Sequence, residues 1–199
     1  MLINRLLQEL IFTQKKVTKA MFKYGKDIEY RMELLDENNS YLINNFNCGN
    51  EEISDFLNKK ALSSEYLKTY IFISENEVIA FVTLACSGIR HSYQGTKAML
   101  SAIEIKYFAM SEKYHSVLYD EISYDENKNY TLSDQILSDV LRFCHKIKEE
   151  ILGAQYIVLY SVPKALHFYK ANFFQEFDEF MEEENLRYLD GCIPMYMEL

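Results

Sequence analysis

Three short runs of the chain carry side chains that could move a proton or hold an anion. LHFYKANFF, residues 166–174, places Tyr169 in a short helix that begins just after Pro163, one of only two prolines. A phenol, with an ordinary pKa of about 10, is protonated at neutral pH and can donate; a packed aromatic is the other reading. AIEIKYFAMS, residues 102–111, is a strand rich in β-branched and aromatic residues, with Glu104 as its sole carboxylate. Alternation places Glu104 on one face with Lys106, Phe108 and Met110. There it could take a proton from an ammonium, directly or through water, or pair with Lys106. NYTLSDQIL opens a long helix, with Thr131 and Ser133 as candidate caps and hydroxyl donors beside free backbone N–H groups. Asp134 in its first turn would compete with any anion for that positive end. His167 lies roughly 200° around the helix from Tyr169 and reads as a surface or packed histidine.

The elements that position these runs are legible from periodicity. Leu2, Ile3, Leu6, Leu7, Leu10, Val17, Met21 and Tyr24 recur at helical spacing and predict an amphipathic helix over residues 2–24, with Gly25 as a stop. It could pack on its own domain, or dock a second copy or a partner protein. DIEYRMELL alternates as a strand does. In FNCGNEEISDFLNKKAL, Asn50 can cap a helix with Glu51 and Glu52 in its first turn and Ile53, Phe56, Leu57 and Ala61 buried. TYIFISENEVIAFVTLACSGI reads as a hairpin around Glu75-Asn76-Glu77. A polar stretch precedes the long helix, whose apolar face is Leu132, Ile136, Leu137, Val140, Leu141, Cys144, Ile147 and Ile151, with Gly153 as its end. AQYIVLYSV is a buried strand, and FFQEF and IPMYMEL close the sheet around an acidic loop. The order predicts a mixed α/β sheet with hairpins, divided as a helical extension over 1–24 and one domain over 25–199.

Composition narrows the function classes. Hydrophobic residues make up 49% of 199, enough for a sizeable core. The net charge is −9, and residues 1–24 carry four net positive charges, so the remainder is more acidic still. Such a body disfavours a broad nucleic-acid surface and suits a cationic substrate, although an acidic solvated surface needs no function at all. Cys48, Cys86, Cys144 and Cys192 lie far apart without zinc-ligand spacing, which predicts buried free thiols, no metal and a cytosolic setting. No apolar run approaches the ~20 residues of a membrane span.

These elements, in this order, resemble the GCN5-related N-acetyltransferase superfamily. FNCGNEEISDFL is similar to the opening of a subgroup that includes toxin-like acetyltransferases. AIEIKYFAMSEKY resembles the fourth strand and its exit toward the cofactor loop. ALHFYKANFF resembles the family's A-x-x-F-Y-x-x-x-G-F, with Phe173 where glycine is usual, and PMYMEL resembles the last strand of the subgroup. The resemblance covers roughly residues 27–199. It implies acetyl-CoA in a V-shaped opening between strand four (Ala102–Ser111) and strand five (Tyr156–Ser161). Phe108, Ala109 and Met110 match the positions whose backbone pairs with the pantetheine arm, and Thr131, Leu132 and Ser133 stand where the pyrophosphate sits. The family's Q/R-x-x-G-x-G/A loop has no glycine here, and Lys113 and Lys128 would have to compensate. Tyr169 matches the family's proton donor to the departing thiolate, with Glu104 as base. The implied activity is direct acetyl transfer to a small-molecule or protein amine. The alternatives are a toxin-type enzyme acting on aminoacyl-tRNA and a binding or regulatory protein that has lost catalysis.

Overall fold

The computed structural model describes residues 18–20, 28–115, 117–118, 130–179, 181–182 and 191–199. Nine strands form one sheet: β1 (Thr18–Ala20), β2 (Ile28–Leu34), β3 (Lys68–Ser74), β4 (Glu77–Tyr93), β5 (Thr96–Met110), β6 (Tyr156–Ser161), β7 (Gln175–Glu176), β8 (Met181–Glu182) and β9 (Ile193–Glu198). The order across it is β1-β2-β3-β4-β5-β6-β9-β7, with β8 on the far end of β4. Only β5 and β6 run parallel; all other pairs are antiparallel. The helices are α1 (Glu51–Asp55, continued by a π-turn Phe56–Lys60), α2 (Leu132–Glu150) and α3 (Leu166–Ala171). The mixed, mostly antiparallel α/β sheet with flanking helices is as expected.

Two tight turns set the register. Ser74 pairs with Glu77 across Glu75-Asn76, where Glu75 has φ +53°. Tyr93 pairs with Thr96 across Gln94-Gly95, both with positive φ, the geometry of a two-residue hairpin whose twist matches its strands. This second hairpin carries β4 and β5 further than the sequence patterns suggest.

Each face of the sheet is covered. On one face Leu132, Ile136, Leu137, Val140 and Cys144 of α2 pack against Phe72, Val82, Ile105 and Ile157. On the other, Phe56, Leu57 and Ala61 join Phe46, Ile71, Ile73 and Phe81. The run FNCGN has a physical reason at every position. Phe46 meets Phe81 edge-on at 5.3 Å, the Cys48 thiol is buried against Ser54, and Gly49 adopts φ +75°. The Asn50 side chain caps α1 by accepting from Ile53 N at 3.1 Å. Asn47 meets the exit of β5: its carbonyl accepts from Glu112 N at 2.9 Å.

Four expectations are corrected. Thr18–Ala20 form an edge strand on Ile28–Tyr30 rather than helix; backbone pairing with a neighbouring strand overrides the local period. The rest of the anticipated helix over 2–24, and its stop at Gly25, lies outside the described residues, as does most of the polar stretch and the acidic loop. Ile151 is exposed, because α2 ends at Glu150 and the cap residue turns away. Gly153 lies beyond that end, without positive φ. Cys86 is exposed, although Cys48 and Cys144 are buried thiols as expected.

Phe81, fully buried between Phe46 and Phe56, holds α1 to the sheet. Phe81→Ala is expected to cost about 3–5 kcal/mol in urea unfolding. A loss below about 1 kcal/mol would show that α1 is not packed there.

Candidate active site

Among the described residues the sheet parts between β5 and β6. β5 and β6 pair from Ala102↔Tyr156 to Ile105↔Leu159 and no further. Beyond that, Tyr160 and Ser161 pair with Pro194 and Ile193 of β9, and Tyr107 to Met110 pair with β4. The parting coincides with a bulge. Tyr107 faces Thr83 and Ile105 faces Leu84, so Lys106 has no opposite residue. A bulge bends its strand and sharpens the local twist.

Backbone phase identifies which groups line the gap. Ser111 N donates to Ile79 O at 2.8 Å. In an antiparallel pair the bonded residues alternate, so Ala109 and Tyr107 also point their N–H and C=O at β4. Those of Phe108 and Met110 therefore point away from β4, toward β6. Of the three expected residues, Phe108 and Met110 face the gap and Ala109 does not, its backbone being engaged with Phe81. The Met110 carbonyl already accepts from His115 Nε2 at 2.9 Å.

The bulge also reverses the expected alternation. Glu104 pairs with Ala85, on the face opposite Phe108 and Met110, and shares its face with Ala102, Tyr107 and Ala109. It is buried and ion-paired with Lys106 at 2.9 Å. It sits one residue before the strands part.

Tyr169 lies in the buried cluster that includes Met110, Ile105 and Leu159, so Tyr169 and Glu104 approach the gap from opposite faces. Its ring meets Phe168 and Phe174 edge-on at 5.2 and 5.7 Å, while Phe168 lies parallel to Phe108 with centroids 6.1 Å apart. Burial pushes the Tyr169 phenol well above its usual range, so it stays protonated. His167 is exposed, as expected.

The end of α3 is a Schellman turn. Phe174 N donates to Tyr169 O and Phe173 N to Lys170 O, both at 3.1 Å, with the Tyr169–Phe174 ring contact as its apolar clasp. Phe173 is the left-handed residue, φ +69°, and 80% exposed. Glycine takes that conformation freely; a side chain there costs about 1–2 kcal/mol.

The start of α2 is largely satisfied from within. Thr131 and Asp134 form a capping box, with Asp134 Oδ2 accepting from Thr131 N at 2.8 Å and Thr131 Oγ1 accepting from Asp134 N at 3.3 Å. Leu132 N donates to Val117 O at 2.9 Å. Thr131 and Leu132 therefore offer no free backbone donor; among the described residues Ser133 N–H is the first-turn donor left. Asp134 also accepts from Asn172 Nδ2 at 2.8 Å. It ties α2 to the end of α3 rather than standing free to repel an anion. Lys113 pairs with Glu77 at 2.5 Å, and Lys128 lies outside the described residues. No cluster of three or more His, Cys, Asp or Glu able to hold a metal occurs among the described residues, and no helix there is long and apolar enough to cross a membrane.

Asp134→Ala removes the carboxylate half of the capping box and the tie to Asn172 together, leaving the Thr131 cap in place. A loss of about 1–3 kcal/mol in chemical denaturation is expected. An unchanged denaturation midpoint would show that Asp134 does not hold the two helices.

No protein-family model and no curated protein matches the sequence. Solved structures do match by shape. AtaTR bound with AcCoA matches at a TM-score of 0.59 and 15% identity, covering 85% of this chain and 92% of that one. AtaT complexed with acetyl-methionyl-tRNAfMet matches at 0.61 and 14%, covering 83% and 93%. The GNAT domain of S. lividans PAT matches at 0.53 and 11%, covering 92% and 97%. Parted strands, an aromatic helix beside them and this agreement over nearly whole chains lead to one conclusion: the chain has the GCN5-related N-acetyltransferase fold.

Proposed function

We propose that the protein is an N-acetyltransferase that moves an acetyl group from acetyl-CoA directly to an amine. The observation that carries this is the parting of β5 and β6, where Phe108 and Met110 turn backbone groups into a gap that no strand among the described residues fills. The N–H and C=O of Phe108 and the N–H of Met110, the Met110 carbonyl being engaged by His115, can take up an extended amide-bearing chain as an added strand would. The pantetheine arm of acetyl-CoA has that chemistry. Two amide-bearing residues fit it well; the start of α2 fits the pyrophosphate less well, with Ser133 N–H as its remaining donor.

Acetyl-CoA supplies an acetyl group already activated as a thioester. Phe108 and Met110 hold and orient the arm, and Phe168 lies over Phe108 to exclude water. Tyr169 donates its phenolic proton to the sulfur as the C–S bond breaks and the new C–N bond forms. Glu104, on the opposite face, takes the proton that the ammonium must lose, directly or through water. An acidic protein with a pI near 5.0 favours a cationic acceptor.

Two alternatives have a specific observation behind them. The self-satisfied cap of α2 favours a binding or regulatory protein on the same fold. The AtaT complex with acetyl-methionyl-tRNAfMet favours the α-amino group of an aminoacyl-tRNA as acceptor. Cytosolic placement, and association through residues 1–24 with a second copy or a protein partner, belong to the same proposal.

Millimolar acetyl-CoA is expected to raise the melting temperature, as any ligand of the native state must; no shift would favour the regulatory reading. Tyr169→Phe is expected to lower turnover about 10²-fold or more while acetyl-CoA affinity barely changes. Because the folded phenol is raised, wild-type turnover should not decline at pH 10 through loss of this proton. Wild-type turnover in the Phe variant would return Tyr169 to core packing.

A further inference from the structure

Among the described aromatics, Phe173 is the one with a left-handed backbone. It is 80% exposed, so burial does not account for it, and it holds the one left-handed position of the Schellman turn, where glycine would be unstrained. Its backbone is nevertheless fixed, since Phe173 N and the following Phe174 N both bond back into α3. The ring is thus presented to solvent from a rigid support.

Its place in the fold is specific. The preceding residue, Asn172, donates to Asp134 in the first turn of α2 at 2.8 Å. Phe173 is therefore the residue next to the contact between the end of α3 and the first turn of α2, the helix start to which the acetyltransferase reading assigns the phosphates. At that spot the backbone offers little, because Thr131, Asp134 and Val117 use all but the Ser133 donor. Affinity for the nucleotide end must come from elsewhere than a row of amides. An aromatic face stacks on a nucleobase without any hydrogen bond.

We propose that Phe173 is the adenine-stacking residue for acetyl-CoA, a contact that substitutes for the amides closed off at the start of α2. This rests on the acetyltransferase reading above. The acyl-bearing arm and the nucleotide end then have separate supports: Phe108 and Met110 for the first, Phe173 for the second.

The test uses the full chain and two ligands, acetyl-CoA and acetylated phosphopantetheine, which lacks the adenosine part. By calorimetric titration, Phe173→Gly is expected to bind acetyl-CoA about tenfold more weakly than wild type, the lower range for a lost base–aromatic stack. It should bind acetylated phosphopantetheine as wild type does and melt about 2–4 °C higher, since strain is relieved. Phe173→Trp introduces the only tryptophan of the protein. Its fluorescence should be quenched by acetyl-CoA and by adenosine 3′,5′-bisphosphate, but not by acetylated phosphopantetheine. Wild-type acetyl-CoA affinity in Phe173→Gly, or an equal loss for both ligands, overturns the stacking role and leaves the acetyltransferase reading standing. Failure of the wild-type protein to bind either ligand overturns both.

Discussion

Between Thr83 and Leu84, β5 carries one residue more than β4 can match, and that residue is Lys106. A strand with period two cannot absorb an extra residue without reversing its faces beyond that point. Ile103 and Ile105 face α2 before the bulge; Phe108 and Met110 face it after. The bend also ends pairing with β6 one residue earlier, at Ile105. Each strand keeps its outer partner, β4 for β5 and β9 for β6, so the cost of parting falls only on the two inner edges. Unpaired edges inside a sheet are unfavourable unless something pairs with them. The bulge thus produces, in one step, a gap, a set of backbone groups lining it, and a carboxylate on the face away from Tyr169.

The two helices flanking the gap are held to each other as well as to the sheet. Asp134 accepts from Thr131 at the start of α2 and from Asn172 at the end of α3. Buried carboxylates are tolerated when their oxygens are satisfied in this way. Asn172 is also the residue that leads into the Schellman turn, whose clasp is Tyr169 against Phe174. The position of the Tyr169 ring is therefore set from three sides: Phe168, Phe174 and, through the backbone, Asp134. A free helix terminus would leave the turn carrying Tyr169 with one support fewer.

Much of this was legible in the residues. Asn50, Thr131 and Pro163 announced helix starts because capping is a local transaction between a side chain and amides two or three positions away. The apolar stripe of α2 announced its buried face for the same local reason. The bulge was not legible. AIEIKYFAMS alternates without a break, and nothing in it marks Lys106 as supernumerary, because register depends on what β4 presents opposite. Hence unbroken alternation puts Glu104 on the face of Phe108 and Met110, whereas Ala109 was included among the gap-lining residues through the resemblance and is turned to β4 by ordinary ladder phase. The edge strand Thr18–Ala20 was hidden by a helical period that tertiary pairing overrides. The hairpin at Gln94-Gly95 had its signal, a glycine between two alternating runs, and went unread. Phe173 stands where the resemblance has glycine, and its φ of +69° shows the physical reason, a conformation that glycine takes without strain.

Burial of Tyr169 raises a difficulty for the proposed chemistry that the same cluster resolves. A phenol pushed above its usual range is a weaker acid, while an ordinary thiol, near 8.5, makes a thiolate too weak a base to take its proton. In the proposed reaction, a sulfur leaving beside this cluster would share its burial and would not be an ordinary thiolate. Cys144, in the same cluster, has its thiol pushed up to about 12 by burial alone. Desolvation penalises both anions, so it raises the basicity of the departing sulfur along with the pKa of the phenol that would protonate it. The proton affinities stay close where water is excluded and would diverge if only one partner were buried. In the proposed reaction, closing the gap over the thioester would then be part of the acid catalysis itself, and the parallel rings of Phe108 and Phe168 would serve it by keeping water out.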